Sequence, residues 1–349
     1  MPPNALKAAL PVLFVATLAG APALAQTRTL AEIATYQGPD RTERLIEGAK
    51  KEGTISVYGS TVASDMNPVI DAFKTKYGIG FDYWCASSEN LVQRTVSENR
   101  AGRCTVDAFA TVAAELEALH REKLLYPVKT PLTDALIPQA FRPHGEWVAT
   151  RLNIFSAAYN TNLVKPDEVP KNYQDLKNPH WKGRLAVEAD DVDWFATIVT
   201  KMGQDKGVQL FKDIVATNGI SLRKGHTLLS NLVAAGEVPM ALTVYSYKPE
   251  QLQRAGAPVK PLYLSPLIAL GYGPAVSRCA THPNAAVLFN DFMMADGMAI
   301  MAKRDMTPTN PKVAPLPQGV DLTLVDPAEM LDNRAKWEEV WNDIIAKPK

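Results

Sequence analysis

Four carboxylates fall within six residues, at Glu188, Asp190, Asp191 and Asp193. Acids this close repel one another unless something positive sits among them: a metal cation, an amine or a cationic side chain. Asp191 and Asp193 share strand-like parity and can point the same way, with Asp190 turned to solvent. The same acids also suit the first turn of a helix, where carboxylates cap free N–H groups and offset the dipole. Further along, Tyr245 and Tyr247 end a strand, and alternation puts both on one side. Phenolate oxygens are hard donors suited to ferric iron, whereas neutral tyrosines stack on and hydrogen-bond organic ligands. Packing between elements is their plainer role. Asp191, Asp193, Tyr245 and Tyr247 are the candidate metal ligands.

Other loops add polar groups. Lys224-Gly225-His226-Thr227 opens a helix, so free backbone N–H groups there, with Arg223 or Lys224, could hold an anion. An ordinary Gly-containing turn capped by Thr227 is the alternative. His226 is a candidate contact, Trp194 either a core residue or an indole stacking on a ligand, and Glu188 a further acid. Tyr272 stands between Gly271 and Gly273, where bare backbone allows close approach. Catalytic signatures are missing. There is no nucleophile elbow, His-Glu-x-x-His, phosphate-cradling loop, Gly-x-Gly-x-x-Gly or Cys-x-x-Cys, and the five histidines are scattered.

The elements that must position these residues repeat one idea. Thr54–Tyr58 alternates like a strand and a helix follows around 68–77. Strand 81–85, a helix ending near Gly102, strand 106–110 and a helix around 115–123 continue the pattern. This is the order of a parallel sheet with right-handed crossovers. After a Pro-rich connector, residues 147–159 form an extended apolar run that reads as a strand passing between lobes. A second series begins at Leu185 and runs through strands near 221 and 239–245. Residues 268–276 then extend back, and a last amphipathic helix near 327–345 carries Trp337 and Trp341 four apart. The predicted fold is α/β with two lobes, each a mainly parallel sheet flanked by helices, joined by two crossing strands. Ligands of open parallel sheets collect beyond the strands' C-terminal ends. That rule selects Ser60, Thr61, Ser87, Ser88 and Thr111 in one lobe. In the other it selects the acidic loop, the turn at 223–227 and Tyr245–Tyr247.

The N-terminus carries Lys7, an apolar run from Ala8 to Leu18 and the small-x-small triplet Ala23-Leu24-Ala25, which together read as a cleaved signal peptide of residues 1–25. No later stretch reads as a membrane span, and the expected product is soluble. Lys plus Arg and Asp plus Glu balance at 37 each, giving no footprint for nucleic acid or an anionic membrane. At 46% hydrophobic content the chain supports true cores. Of the three cysteines, Cys85 and Cys104 flank one predicted helix and are the expected disulfide, leaving Cys279 buried and free. Lobe 1 is expected to comprise residues 26–150 and 263–349, and lobe 2 residues 151–262.

Glu47-Gly48-Ala49-Lys50-Lys51-Glu52-Gly53, Ala158-Tyr159-Asn160-Thr161 and Trp181-Lys182-Gly183-Arg184 resemble segments of one family, as do Ala235–Leu242 and His282–Ala286. The chain is similar, over essentially its whole mature length, to periplasmic solute-binding proteins of ABC importers. These are family 1 extracellular solute-binding proteins, a group that includes ferric-ion-binding proteins. The resemblance implies a hinged type II binding protein that is periplasmic and not an enzyme. It also implies hand-over to an inner-membrane permease. A monomer is expected, with no nucleic-acid partner and no resident cofactor. Fe(III), a ferric chelate or a small polar organic solute with a cationic group is the expected cargo. Family iron binders carry two adjacent tyrosines where this chain has Ser246 and Tyr247. The family histidine is replaced near Ser60-Thr61, the family glutamate falls near Thr111 and Ala113, and the anion loop is the acidic loop. A periplasmic enzyme or a ligand sensor on the same scaffold is the alternative.

Overall fold

The computed structural model describes residues 28–316 and 321–346, so the expected signal peptide lies outside the described residues. The strands that position the site are β1 (Thr54–Gly59), β2 (Gly80–Cys85), β3 (Ala108–Val112), β4 (Arg151–Asn160), β5 (Leu185–Glu188), β6 (Ser221–Arg223), β7 (Met240–Tyr245), β8 (Val259–Leu262) and β9 (Leu267–Ser277). They form one curled mixed sheet in the order β2-β1-β3-β9-β4-β7-β5-β6, with β8 pairing β4. β1 runs parallel to β2 and β3, and β5 runs parallel to β6 and β7, whereas β9 and β4 insert antiparallel. The expected two parallel half-sheets are both present.

β4 belongs to both halves. Arg151–Ile154 pair with Tyr272–Ala269 of β9, and the next residue, Phe155, pairs with Tyr245 of β7. Its residues are buried almost throughout, as a strand covered on both faces requires. The second crossing runs from β8, paired to β4 beyond Ala157, through residues 263–266 into β9. Gly273 on β9 must be glycine, because a Cβ there would sit 1.8 Å from the Val148 carbonyl oxygen.

Each half has its own core. On the first, Phe73 meets Phe81, Phe289 and Phe292 edge-on over β1 and β3. On the second, Phe195 and Phe211 pack with Trp194, and the helix Arg334–Trp341 sends Trp337 and Trp341 into that core. The final amphipathic helix is interrupted: Pro327–Asp332 packs on helix Ala113–Arg121 of the first half, and Arg334–Trp341 on helix Val192–Lys201 of the second. One expectation fails on composition alone. The helical run Pro283–Ala302 is long and apolar enough to cross a membrane, but it is 67% buried, as a core helix is.

The expected Cys85–Cys104 disulfide is not formed, and all three cysteines are free thiols. The reason lies in the helix between them. Ser88–Arg100 is 13 residues long, which carries the chain about 20 Å from one end of the sheet to the other. A disulfide needs Cα atoms within about 7 Å. Cys85 instead donates its S–H to the Thr61 carbonyl at 3.3 Å, and Cys279 is half-buried rather than buried.

Candidate functional site

Because β5, β6 and β7 run parallel, their C-terminal ends deliver the acidic loop, the 223–227 turn and Tyr245 to one place. β1, β2 and β3 do the same from the other half. Between them lies a cleft of about 570 Å³. Its floor is β4, where Arg151, Asn153 and Phe155 share one face by strand alternation and all reach the cleft.

Glu188 is buried, its two oxygens accepting from Asp190 N at 2.6 Å and Gly225 N at 2.8 Å. That second bond takes the helix N-terminus at His226, so the chain's own carboxylate fills the anion position expected there. Gly225 itself needs φ of +99° to make the turn. Asp191 Oδ1 lies 3.3 Å from His226 Nε2, while Asp191 Oδ2 and His226 Nδ1 are buried without a partner. Ligand atoms of Glu188, Asp191 and His226 all fall within 4.8 Å of one another. Asp193 is buried, its Oδ1 3.9 Å from an Arg334 guanidinium nitrogen and without a hydrogen bond. Asp190 turns to solvent and pairs with Lys224 at 3.3 Å.

The tyrosines arrive by different routes. Tyr245 ends β7, Ser246 bends into the helix Tyr247–Arg254, and the two rings still lie 6.1 Å apart at 20°. Tyr245 is stacked on His226 at 3.7 Å. Tyr272 is fully buried beneath Arg151, its ring 3.8 Å from the guanidinium carbon, and its hydroxyl donates to the Ala110 carbonyl and accepts from Thr61 Oγ1 at 2.7 Å.

Of the expected residues, Ser60, Ser87, Glu188, Asp191, Asp193, His226, Thr227, Tyr245, Tyr247 and Tyr272 border the cleft. Three do not. Trp194 is 1% exposed and turns into the second core against Tyr173 and Phe211. Thr61 lies behind Tyr272, and Thr111 is enclosed, bonded to Ser60 at 2.9 Å and Ser88 at 3.2 Å. Sequence reasoning missed Arg151, Asn153, Glu115 and Arg334, all of which line the cleft. Glu115 opens the helix after β3, just beyond the Thr111–Ala113 stretch where a family glutamate was sought. Arg151 is 2% exposed, its guanidinium donating to Thr61 Oγ1 at 2.8 Å and to the sulfurs of Met301 and Met306.

Electrostatically the cleft is acid-rich. Burial, reinforced by Asp193, pushes Glu115 up to about 7, and burial with Asp191 pushes Glu188 up to about 7. Burial likewise raises Asp193. Burial opposes the charged form of His226, yet Asp191 beside it raises the imidazole overall. Tyr245 is held well above its ordinary value by burial and by Asp191, and Tyr247 is pushed up to about 12 by burial. The unpartnered atoms Glu115 Oε2, Asn153 Oδ1, Asp191 Oδ2, Asp193 Oδ1, His226 Nδ1 and Arg151 Nε belong to residues lining this one cleft. Four of the six are oxygen acceptors, which suits a ligand bringing positive charge or hydrogen-bond donors, while Arg151 Nε is a donor on the floor.

Residues 115–238 match the bacterial extracellular solute-binding protein family. An iron uptake protein of Synechocystis is 24% identical over 212 residues, covering 59% of this chain and 58% of that protein. An Fe(3+)-binding periplasmic protein of Serratia marcescens is 25% identical over 208 residues, covering 58% and 60%. The chain thus spans less than two thirds of the curated relatives it matches. Among solved structures, iron-bound HitA of Pseudomonas aeruginosa superposes with a TM-score of 0.71 at 19% identity, over 83% of this chain and 99% of that one. The periplasmic binding protein AfuA of Actinobacillus pleuropneumoniae, solved with fructose-6-phosphate, gives 0.75 at 19%, over 85% and 100%. The likeness to solved structures shows a two-lobe periplasmic-binding-protein fold, and within it residues 115–238 are similar to the bacterial extracellular solute-binding protein family.

Proposed function

We propose that the protein captures a positively charged solute in the cleft and hands it to the permease of an ABC importer, with ferric iron, free or chelated, as the leading cargo. The carrying observation is the set of buried, unpartnered acceptors around Glu188, Asp191 and His226. Carboxylate and phenolate oxygens are the hard donors that Fe(III) prefers, and His226 Nδ1 adds a nitrogen whose ring is held by Asp191 through Nε2. Iron-related names among the relatives support the same reading. Ligand binding would favour the closed arrangement of the two halves through its greater affinity for it. The protein works outside the inner membrane as a monomer and performs no chemistry on its cargo.

A second reading has its own support. A cleft of about 570 Å³ is far larger than one ion, and Arg151 and Asn153 on its floor suit a polar organic molecule that also carries an amine or guanidinium. Thermal shift on metal-stripped protein separates the two. Ferric citrate should raise the melting temperature and bring a visible phenolate-to-iron band that Tyr245→Phe abolishes. Stabilisation by organic amines but not by ferric salts would replace the iron reading with the second. Stabilisation by neither would remove solute capture from this cleft.

A further inference from the structure

We propose that Cys104 and Cys279, free thiols in this structure, close on oxidation into a disulfide that ties the loop before β3 to the turn after β9. β3 and β9 are antiparallel, with Ala108 opposite Val276 and the Ser277 N–H bonded to the Asp107 carbonyl at 2.9 Å. Cys104 lies three residues before Asp107 and Cys279 two residues after Ser277, so the paired strand ends deliver both cysteines to the same edge of the sheet, where the chain turns out of register. The two segments are already clamped by Asp107, whose Oδ1 accepts from Thr281 N and His282 N, both at 2.8 Å. The neighbouring Cys279 thiol, with burial, pushes Cys104 up to about 11. Cys104 is exposed and Cys279 half-exposed, so an exchange partner can reach them. Cys85 sits at the opposite end of the sheet on the cleft wall and is excluded from the pair.

The bond forms by thiol–disulfide exchange. One thiolate attacks a sulfur of an oxidised dithiol donor, and the second thiolate displaces the donor from the mixed disulfide. The two cysteine thiols give up two protons and two electrons, and the donor's disulfide is reduced to two thiols. A covalent tie here would close a loop over about half of the chain, including the whole second half-sheet. It thereby fixes the outer end of the first half-sheet and leaves the cleft end free to move.

In the cell this inference rests on the export reading, so the test has two arms. Purified reduced protein is treated with oxidised glutathione, then alkylated in denaturant and mapped by mass spectrometry. The expected result is a linked pair of peptides containing Cys104 and Cys279, with Cys85 alkylated. Full alkylation of all three thiols, or any pair that includes Cys85, overturns the pairing. The second arm maps protein recovered directly from the bacterial envelope without reductant. Linkage in the first arm but three free thiols in the second leaves the pairing standing and overturns its formation in the cell. Cys104→Ser and Cys279→Ser should each lower the melting temperature of the oxidised protein by about 5 °C, and Cys85→Ser should not. Equal melting temperatures for all three variants would show no tie at 104–279.

Discussion

Glu115 and Glu188 titrate near 7 in the folded protein, against about 4.3 in an unfolded chain. The fold therefore prefers their neutral forms. Their contribution to stability is complete below about pH 4 and is lost as pH rises through 7. The raised imidazole of His226 acts in the same direction, being retained as a cation beside Asp191 at low pH. The unliganded protein should accordingly melt at a lower temperature at pH 8 than at pH 5.5, and Glu115→Gln combined with Glu188→Gln should flatten that slope. A pH-independent melting temperature in the native protein would contradict the assignment. Cation binding must displace those protons, so affinity should climb across the same window, read by calorimetry in buffers of different ionisation enthalpy. Asp191→Asn keeps the shape of the side chain but removes the charge facing His226. We expect it to weaken binding at least tenfold, or about 1.4 kcal/mol.

Among the elements, the last helix carries the clearest structural prediction. Trp341 is 3% exposed and meets Phe195 edge-on at 5.5 Å. Trp341→Ala should cost about 3–5 kcal/mol and lower the melting temperature of the second half-sheet, followed by near-ultraviolet circular dichroism. Gly273→Ala drives a methyl into the Val148 carbonyl and should give a chain that is recovered insoluble or melts much lower, whereas the roomier Gly271→Ala should survive. Much of this layout was legible beforehand. Alternation exposed the strands, fourfold spacing exposed Trp337 and Trp341, and the rule about strand C-termini brought Glu188, Asp191, His226 and Tyr245 together. What escaped was set by distance along the chain or by disguise. Arg151 and Asn153 hide in a run that reads as apolar strand, and only the crossing of β4 turns their shared face into a cleft floor. Arg334 is brought to Asp193 by packing of the final helix, which no local pattern reports. The cysteine pairing was misread because flanking a helix suggests nearness, whereas a helix of that length separates its ends.

At the scale of the whole molecule, the two half-sheets meet through β4 and through the β8–β9 connection, so the cleft can narrow by bending at those crossings. Small-angle scattering should show a smaller radius of gyration on saturation with cognate solute. An unchanged radius with full occupancy would mean that the ligand enters without closure. The same connectivity also bears on how the chain is made. The first half-sheet lacks β9 until residue 277 has been synthesised, and the second core lacks Trp337 and Trp341, which come about 80 residues after β8 ends. The second half therefore cannot complete its core until the helix Arg334–Trp341 has been made. A nascent chain arrested before Pro327 should remain open to protease throughout its second half.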